Sequence, residues 1–172
     1  MKKIPEWMQY VIIILVVVLF RTFVATPVRV VGASMDKTLK QGEILILKKY
    51  DKDYERFDIV VIKEGTERII KRIIGLPGES IKIIDNVIYI NGEELKDDYA
   101  SSESVDFSLS KFNLEVIPED CYFVLGDNRE VSKDSRTIGV INKKDILGTT
   151  GMRIWPLNKI GDPSWVIKEV IF

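Results

Sequence analysis

Arg68-Ile-Ile-Lys71-Arg72-Ile-Ile-Gly-Leu-Pro-Gly78 sets two cations inside an aliphatic, β-branched run that then stops at Gly and Pro. That composition reads as a strand closed by a turn. Strand alternation puts Lys71 on the face of Ile69 and Ile73, and Arg72 on the face of Ile70 and Ile74. A lysine so placed either reaches a solvated face or lies half-buried, where desolvation lowers its pKa. Free Lys titrates near 10.4, so only about one amine in a thousand is neutral at pH 7. A lowered pKa makes the neutral amine available as a base.

The segments around this strand share its texture. Val28–Val31, Ile44–Leu47, Asp58–Ile62 and Tyr122–Leu125 are short aliphatic runs bounded by Gly or charge. Val87–Ile90 ends in Asn91-Gly92, a hairpin turn. No stretch after residue 30 carries a long helical period, so the expected fold class is mainly β. Glu93–Asp106 holds six acids against Lys96, with Ser101, Ser102 and Ser104 among them. It reads as a solvated surface loop.

The N-terminus differs. Val11–Phe20 is an unbroken apolar run, and the wider span Trp7–Val24 has 18 residues. At roughly 1.5 Å per residue that helix covers about 27 Å, close to the thickness of a bilayer core. Ala25 is a poor cleavage site, with Phe23 where a small residue is wanted and Pro27 just beyond, so a retained anchor is expected. The expected domains are a tail at 1–6, a transmembrane signal-anchor at 7–25 and a catalytic domain at 26–172. Lys2 and Lys3 precede the span, but Arg21, Arg29, Lys37 and Lys40 follow it, so basic-residue counting leaves the topology open.

Composition narrows the chemistry. The 172 residues hold 25 Lys+Arg and 26 Asp+Glu, a net charge of −1, which argues against a nucleic-acid partner. There is no His, which excludes Ser-His-Asp and Cys-His sites and His-ligated metals; the single Cys121 excludes an internal disulfide and a Cys-rich zinc site. No metal and no cofactor are expected. In Gly32-Ala-Ser34-Met35-Asp-Lys-Thr-Leu39, small residues lead into Ser34. Without a His, Ser34 with a semi-buried Lys71 is the simplest nucleophile–base pair. Gly126–Arg136 mixes Asp127, Arg129, Asp134 and Arg136 with Ser132, a pattern of paired charges that fix a loop.

These segments, in this order, resemble the type I signal peptidases, membrane-anchored Ser-Lys proteases. Ser34–Leu39 resembles that family's Ser-Met-x-Pro-Thr-Leu, Arg56–Val61 its Gly-Asp-Ile-Val-Val strand, Lys71–Glu79 its base-bearing motif and Gly126–Arg136 its Gly-Asp-Asn-Arg…Ser-x-Asp-Ser-Arg. Arg153–Leu157 and the N-terminal anchor also fit. The resemblance implies Ser34 as nucleophile, Lys71 as general base and Ser132 as the hydroxyl that orients the base. It implies a charged network of Asp127, Arg129, Asp134, Arg136 and Arg72, and Met35 lining the substrate cleft. Val28, Val30, Leu39 and Ile70 are expected to shape shallow pockets for an extended peptide. The resemblance further implies a compact β-barrel-like catalytic domain, signal peptides of exported preproteins as substrates, the lipid bilayer and the secretion translocon as neighbours, a cytoplasmic N-terminus and an extracytoplasmic domain.

The sequence departs from the pattern in three places. Lys37 replaces the usual Pro, which leaves the turn less rigid. Phe57 replaces a Gly, and Gly32 has no hydroxyl to help hold an oxyanion. Two other readings compete. A self-cleaving regulator of the SOS-repressor type also uses Ser-Lys, but has a DNA-binding domain where this chain has an apolar span. A non-enzymatic tethered β module needs neither Ser34 nor Lys71.

Overall fold

The computed structural model describes residues 5–50 and 52–161. Lys2, Lys3 and the end of the expected catalytic domain, 162–172, lie outside the described residues. Helix α1 (Glu6–Phe23) has 18 residues, none of them buried, and a mean hydropathy of 1.7. A helix that is apolar all round with nothing packed over it is no core helix of this domain, and its length and composition suffice to cross a bilayer. Its last turn leaves carbonyls that need donors. The Thr26 hydroxyl donates to the Arg21 carbonyl at 2.8 Å, and Lys49 Nζ to the Thr22 carbonyl at 3.1 Å.

The strands are β1 (Ala25–Arg29), β2 (Ile44–Lys48), β3 (Ile59–Glu64), β4 (Glu67–Gly75), β5 (Ile81–Ile84), β6 (Val87–Ile90), β7 (Glu93–Leu95), β8 (Phe107–Ser108), β9 (Cys121–Leu125), β10 (Ile141–Asn142) and β11 (Ile146–Trp155). After α1, the α-helix among the described residues is the single turn α2 (Ser135–Ile138). The mainly β expectation therefore holds. The strands form a seven-stranded sheet, β1-β2-β11-β3-β4-β9-β10, and a four-stranded sheet, β7-β6-β5-β8. Both are open: pairing among the described residues closes no barrel.

Local chemistry explains the hairpins. Asn91 and Gly92 have φ of 52° and 86°, which closes β6 onto β7 at Ile90 opposite Glu93. Asp85 and Asn86, at 50° and 70°, join β5 to β6 in the same way. Paired left-handed residues match the twist of antiparallel strands. The strand expected at Val28–Val31 lies earlier, as β1 ends at Arg29.

Strand β11 is the long strand that sequence periodicity does not show. Gly148 and Gly151 interrupt it, and three bulges shift its register. A Cβ at Gly148 would strike the Lys48 carbonyl oxygen, so the glycine permits the close approach of β2.

The core has three clusters. Ile74, Phe107, Ile117 and Phe123 fill the space beside the small sheet. Val60, Ile62, Ile73 and Val124 form the second. Val30, Met35, Leu39, Leu45 and Ile59 lie beneath the Ser34 turn. Strand β4 runs between all three: Ile70, Ile73 and Ile74 each join a different cluster. From Lys71 to Gly75 every β4 residue is buried, which is why that segment is aliphatic on both faces.

Candidate active site

Ser34 sits in a tight turn that follows β1. The amides of Asp36, Thr38 and Leu39 donate back to the carbonyls of Ala33, Met35 and Met35, at 3.0, 3.1 and 2.8 Å. Met35 and Leu39 anchor this turn in the core, leaving Ser34 half-buried between them and the exposed Gly32. Gly32 has φ +90°, and a Cβ there would meet no neighbour within 4 Å. The glycine is required by backbone conformation, not by space.

Lys71 is 2% exposed and lies opposite Val60 in the β3–β4 ladder. Among the described residues no hydrogen bond or ion pair holds its amine. Burial pushes it down from 10.5 to about 8; Asp134 pulls it back up, Arg136 pushes it down and Asp127 pulls it up. Desolvation is thus the first cause, as the aliphatic setting predicts. The cation that adds to it is Arg136, while Arg72, the next residue in β4, is turned to the other face of the strand.

Ser34 and Lys71 line one cavity of about 390 Å³. Its walls are the chain 30–35 and the first half of β4, with Val30, Met35 and Ile70 among the lining residues. Leu39, expected to shape a pocket, is 0% exposed, packs in one core cluster with Met35 and is not part of the lining. Val28 packs half-buried against the same cluster and is not part of the lining. Strand β9 pairs with β4 only from Arg72 onward, so residues 67–71 keep one edge unpaired among the described residues. Glu67 and Arg68 lie on that edge and in the lining, a role the sequence reading did not assign to either.

The charged network has two centres. Arg72 and Asp127 are both fully buried; Arg72 Nε and Nη2 donate to the carboxylate at 2.9 and 2.7 Å, and Nη1 to the Phe57 carbonyl at 2.9 Å. Thr38 donates its hydroxyl to Asp127 at 2.5 Å, tying the Ser34 turn to this pair. Around the second centre, Asp134 caps α2, accepts from the Gly126 amide at 3.1 Å and takes two bonds of 2.8 Å from Arg136. Arg136 and Arg129 then bond to the carbonyls of Arg129 and Gly126, at 2.5 and 2.9 Å.

Gly126 is where the Ser34 turn meets the 126–136 loop. A Cβ there would collide with Ser132 Oγ and lie 2.5 Å from the Ser34 carbonyl oxygen. That carbonyl accepts from the Asn128 amide at 3.0 Å. Ser132 is therefore brought against the Ser34 backbone, but it makes no hydrogen bond to Lys71: among the described residues its Oγ is the buried side-chain polar atom without a partner. Gly126→Ala is expected to push the two serines apart, and a misplacement of about 1 Å costs roughly 10²-fold in rate. Steady-state kinetics should show the loss in kcat; a variant with full kcat would refute the crowding.

The acidic stretch Glu93–Asp106 is more than the solvated loop expected. Asp97 forms a buried ion pair with Arg129, and the Ser102 hydroxyl accepts from the Glu130 amide at 3.0 Å. Tyr99 lies under the Arg72 guanidinium, 3.6 Å from Cζ to the ring centroid, and meets the Phe57 ring at a tilt, centroids 5.1 Å apart. Phe57 itself has φ +71°, a conformation that Gly adopts more readily. Its ring contact and the Arg72 bond to its carbonyl hold it there. The hydroxyls at 101, 102 and 104 were the one sign of these bonds in the sequence.

Residues 4–155 match the protein-family model described as signal peptidase, peptidase S26. Signal peptidase I of Bacillus licheniformis is 40% identical over 169 residues, 90% of each chain. Signal peptidase I of Streptococcus pneumoniae serotype 4 is 35% identical over 196 residues, 92% of this chain and 96% of that protein. The crystal structure of a signal peptidase I from Enterococcus faecalis V583 superimposes with a TM-score of 0.53 at 37% identity, covering 56% of this chain and 96% of that one.

Proposed function

The chain belongs to the signal peptidase family, peptidase S26, and on that premise we propose that it is a membrane-bound serine endopeptidase that removes signal peptides from exported preproteins with Ser34 and Lys71. One observation carries the reading: Ser34 and a buried, unpaired Lys71 with a pKa near 8 line the same cavity. At pH 7 about one such amine in ten is neutral, against about one in a thousand for free Lys.

Neutral Lys71 accepts the Ser34 hydroxyl proton as Oγ attacks the scissile carbonyl. Backbone N–H groups of the turn hold the oxyanion, since Gly32 offers no hydroxyl. Collapse expels the amine, which takes the proton from the Lys71 ammonium. Water, deprotonated by Lys71, then releases the acyl group and restores Ser34. Ser132 Oγ, against the Ser34 backbone and unpartnered, is available to direct the amine. Asp127, Arg72, Arg129, Asp134 and Arg136 keep the two loops in register.

The unpaired edge at 67–71 suits strand addition by an extended peptide. Met35, Val30 and Ile70 are the apolar walls such a peptide would meet. Helix α1 forms most of the signal-anchor at 7–25, with a short cytoplasmic tail at 1–6 and the catalytic domain, from 26 to 172, on the outer face. That arrangement keeps the cavity beside the bilayer and the secretion translocon, where signal peptides lie extended. No cofactor enters the reaction.

The pH profile tests the base. The neutral amine is the working form, so kcat/KM is expected to fall tenfold per unit below a midpoint near pH 8 and to level off above it. Desolvation and Arg136 set that midpoint low, while Asp134 and Asp127 oppose them. Full-length protein in detergent, with a preprotein substrate lacking titrating groups at the cleavage site, supplies the measurement. An acidic limb near pH 4–5, about the range of free carboxylates, would exclude Lys71.

A further inference from the structure

We infer that Lys37 is a positioning residue that tethers the Ser34 turn to the segment Asp97–Ser104; this rests on the reading of Ser34 as nucleophile. Lys37 stands three residues past Ser34 with φ +112°. Residues with a Cβ rarely adopt that conformation, and it persists only where surroundings impose it. A proline, locked near −65°, cannot adopt it at all. The turn here is thus held by something other than the rigidity of proline.

The hold comes from the Lys37 side chain, beside a second bond in which the Ser101 hydroxyl donates to the Asp36 carbonyl at 2.9 Å. Lys37 Nζ donates to the carbonyls of Asp98 at 2.8 Å and Ala100 at 3.0 Å. Those carbonyls belong to a segment fastened to the opposite wall of the site. The Ser101 amide donates to the Asp127 carbonyl at 2.8 Å, and the Ser102 hydroxyl donates to Asn128 Oδ1 at 3.0 Å. The Asn128 amide in turn donates to the Ser34 carbonyl at 3.0 Å. The contacts form a ring: from Ser34 to Lys37, across to 98–102, on to 127–128, and back to Ser34.

Within this ring Lys37 supplies the charged donor, and charge-assisted bonds are the stronger kind. The inner side of the turn has separate anchors in Met35, Leu39 and the Thr38–Asp127 bond. Removing the tether leaves the fold in place and loosens the outer side of the turn. The loss falls on the aim of Ser34 Oγ, which reaction geometry magnifies.

The experiment compares full-length wild type, Lys37→Met, Lys37→Arg and Ser34→Ala in detergent with one preprotein. Lys37→Met is expected to lower kcat roughly five- to twentyfold, with KM within about twofold and the acidic limb of the pH profile unmoved. Amide exchange across 97–104 should quicken, and the melting temperature should stay within about 2 °C. Lys37→Arg keeps a cationic donor of similar reach and should recover at least about half of kcat. Full kcat in Lys37→Met, or a loss confined to KM, overturns the tether. So does a kcat loss that comes with a large fall in melting temperature and no rescue by Arg. Ser34→Ala separates the two claims: if it is inactive while Lys37→Met is fully active, the tether alone fails, and if it is active, the nucleophile reading fails first.

Discussion

Lys71→Met is expected to abolish preprotein cleavage and, in the same variant, to raise the melting temperature of the protein. Loss of a nucleophile or base lowers turnover by at least about 10⁴-fold in serine hydrolases, and Ser34→Ala should fall as far. The gain in stability has a separate cause. The Lys71 amine is held down from 10.5 to about 8, chiefly by burial. Below pH 8 both folded and unfolded chains carry the ammonium, and the folded state bears the cost of burying it. Between about 8 and 10.5 the unfolded chain binds more protons, so stability rises with pH through that window; above it the cost is gone. The depression corresponds to at most about 3 kcal/mol, or roughly 6–12 °C for a domain of this size. Met fills the same space without charge, so the gain should be greatest below pH 8 and should fade toward pH 10.5. Thermal unfolding at pH 6.5 and 10 beside the cleavage assay checks both halves. Lys71→Arg should be as inactive as Met, since guanidinium keeps its proton. A Met variant that is inactive but less stable than wild type at both pH values would mean that the lysine is not buried at a cost.

Asp127→Ala should produce the largest loss of stability. Its carboxylate takes two bonds from Arg72 and one from Thr38, and both charges are fully buried. Removing it leaves the guanidinium with the Phe57 carbonyl, the Thr38 hydroxyl and the Tyr99 ring. Breaking a buried pair from one side costs about 3–5 kcal/mol because the remaining charge is uncompensated. Arg72→Met in the same background should return part of that loss, since it removes the stranded charge. Denaturant titration of the single and double variants measures both. A single variant within about 1 kcal/mol of wild type, below the cost of even one unsatisfied buried group, would show that water reaches Arg72 and relieves it.

Local chemistry was enough for much of this protein. Val11–Phe20 has no polar face, so its helix can be satisfied only by an apolar solvent or partner, whatever the rest of the fold does. Asn91-Gly92 closes its hairpin from backbone preference alone, and alternation along Ile69–Ile74 places Lys71 and Arg72 on opposite faces before any partner strand is known. The absence of His, an arithmetic fact, leaves Ser and Lys as the pair to examine.

Other features depend on neighbours distant in the chain. Strand β11 is a strand because β2 and β3 flank it, and its glycines, which weaken the local signal, are there for that approach. Leu39 looks like a pocket residue in its motif, yet the packing of Leu45 and Ile59 seals it in. Arg136, 65 positions from Lys71 in the chain, acts on the amine because the fold brings it there, whereas adjacent Arg72 is turned to the other face of β4. Lys37 and the 97–104 segment meet across more than 60 residues, so neither stretch by itself shows the contact. Periodicity and composition act over a few residues and survive in one dimension. Desolvation, charge compensation and side-chain reach are set by the three-dimensional surroundings, and these exist only once the sheets have assembled.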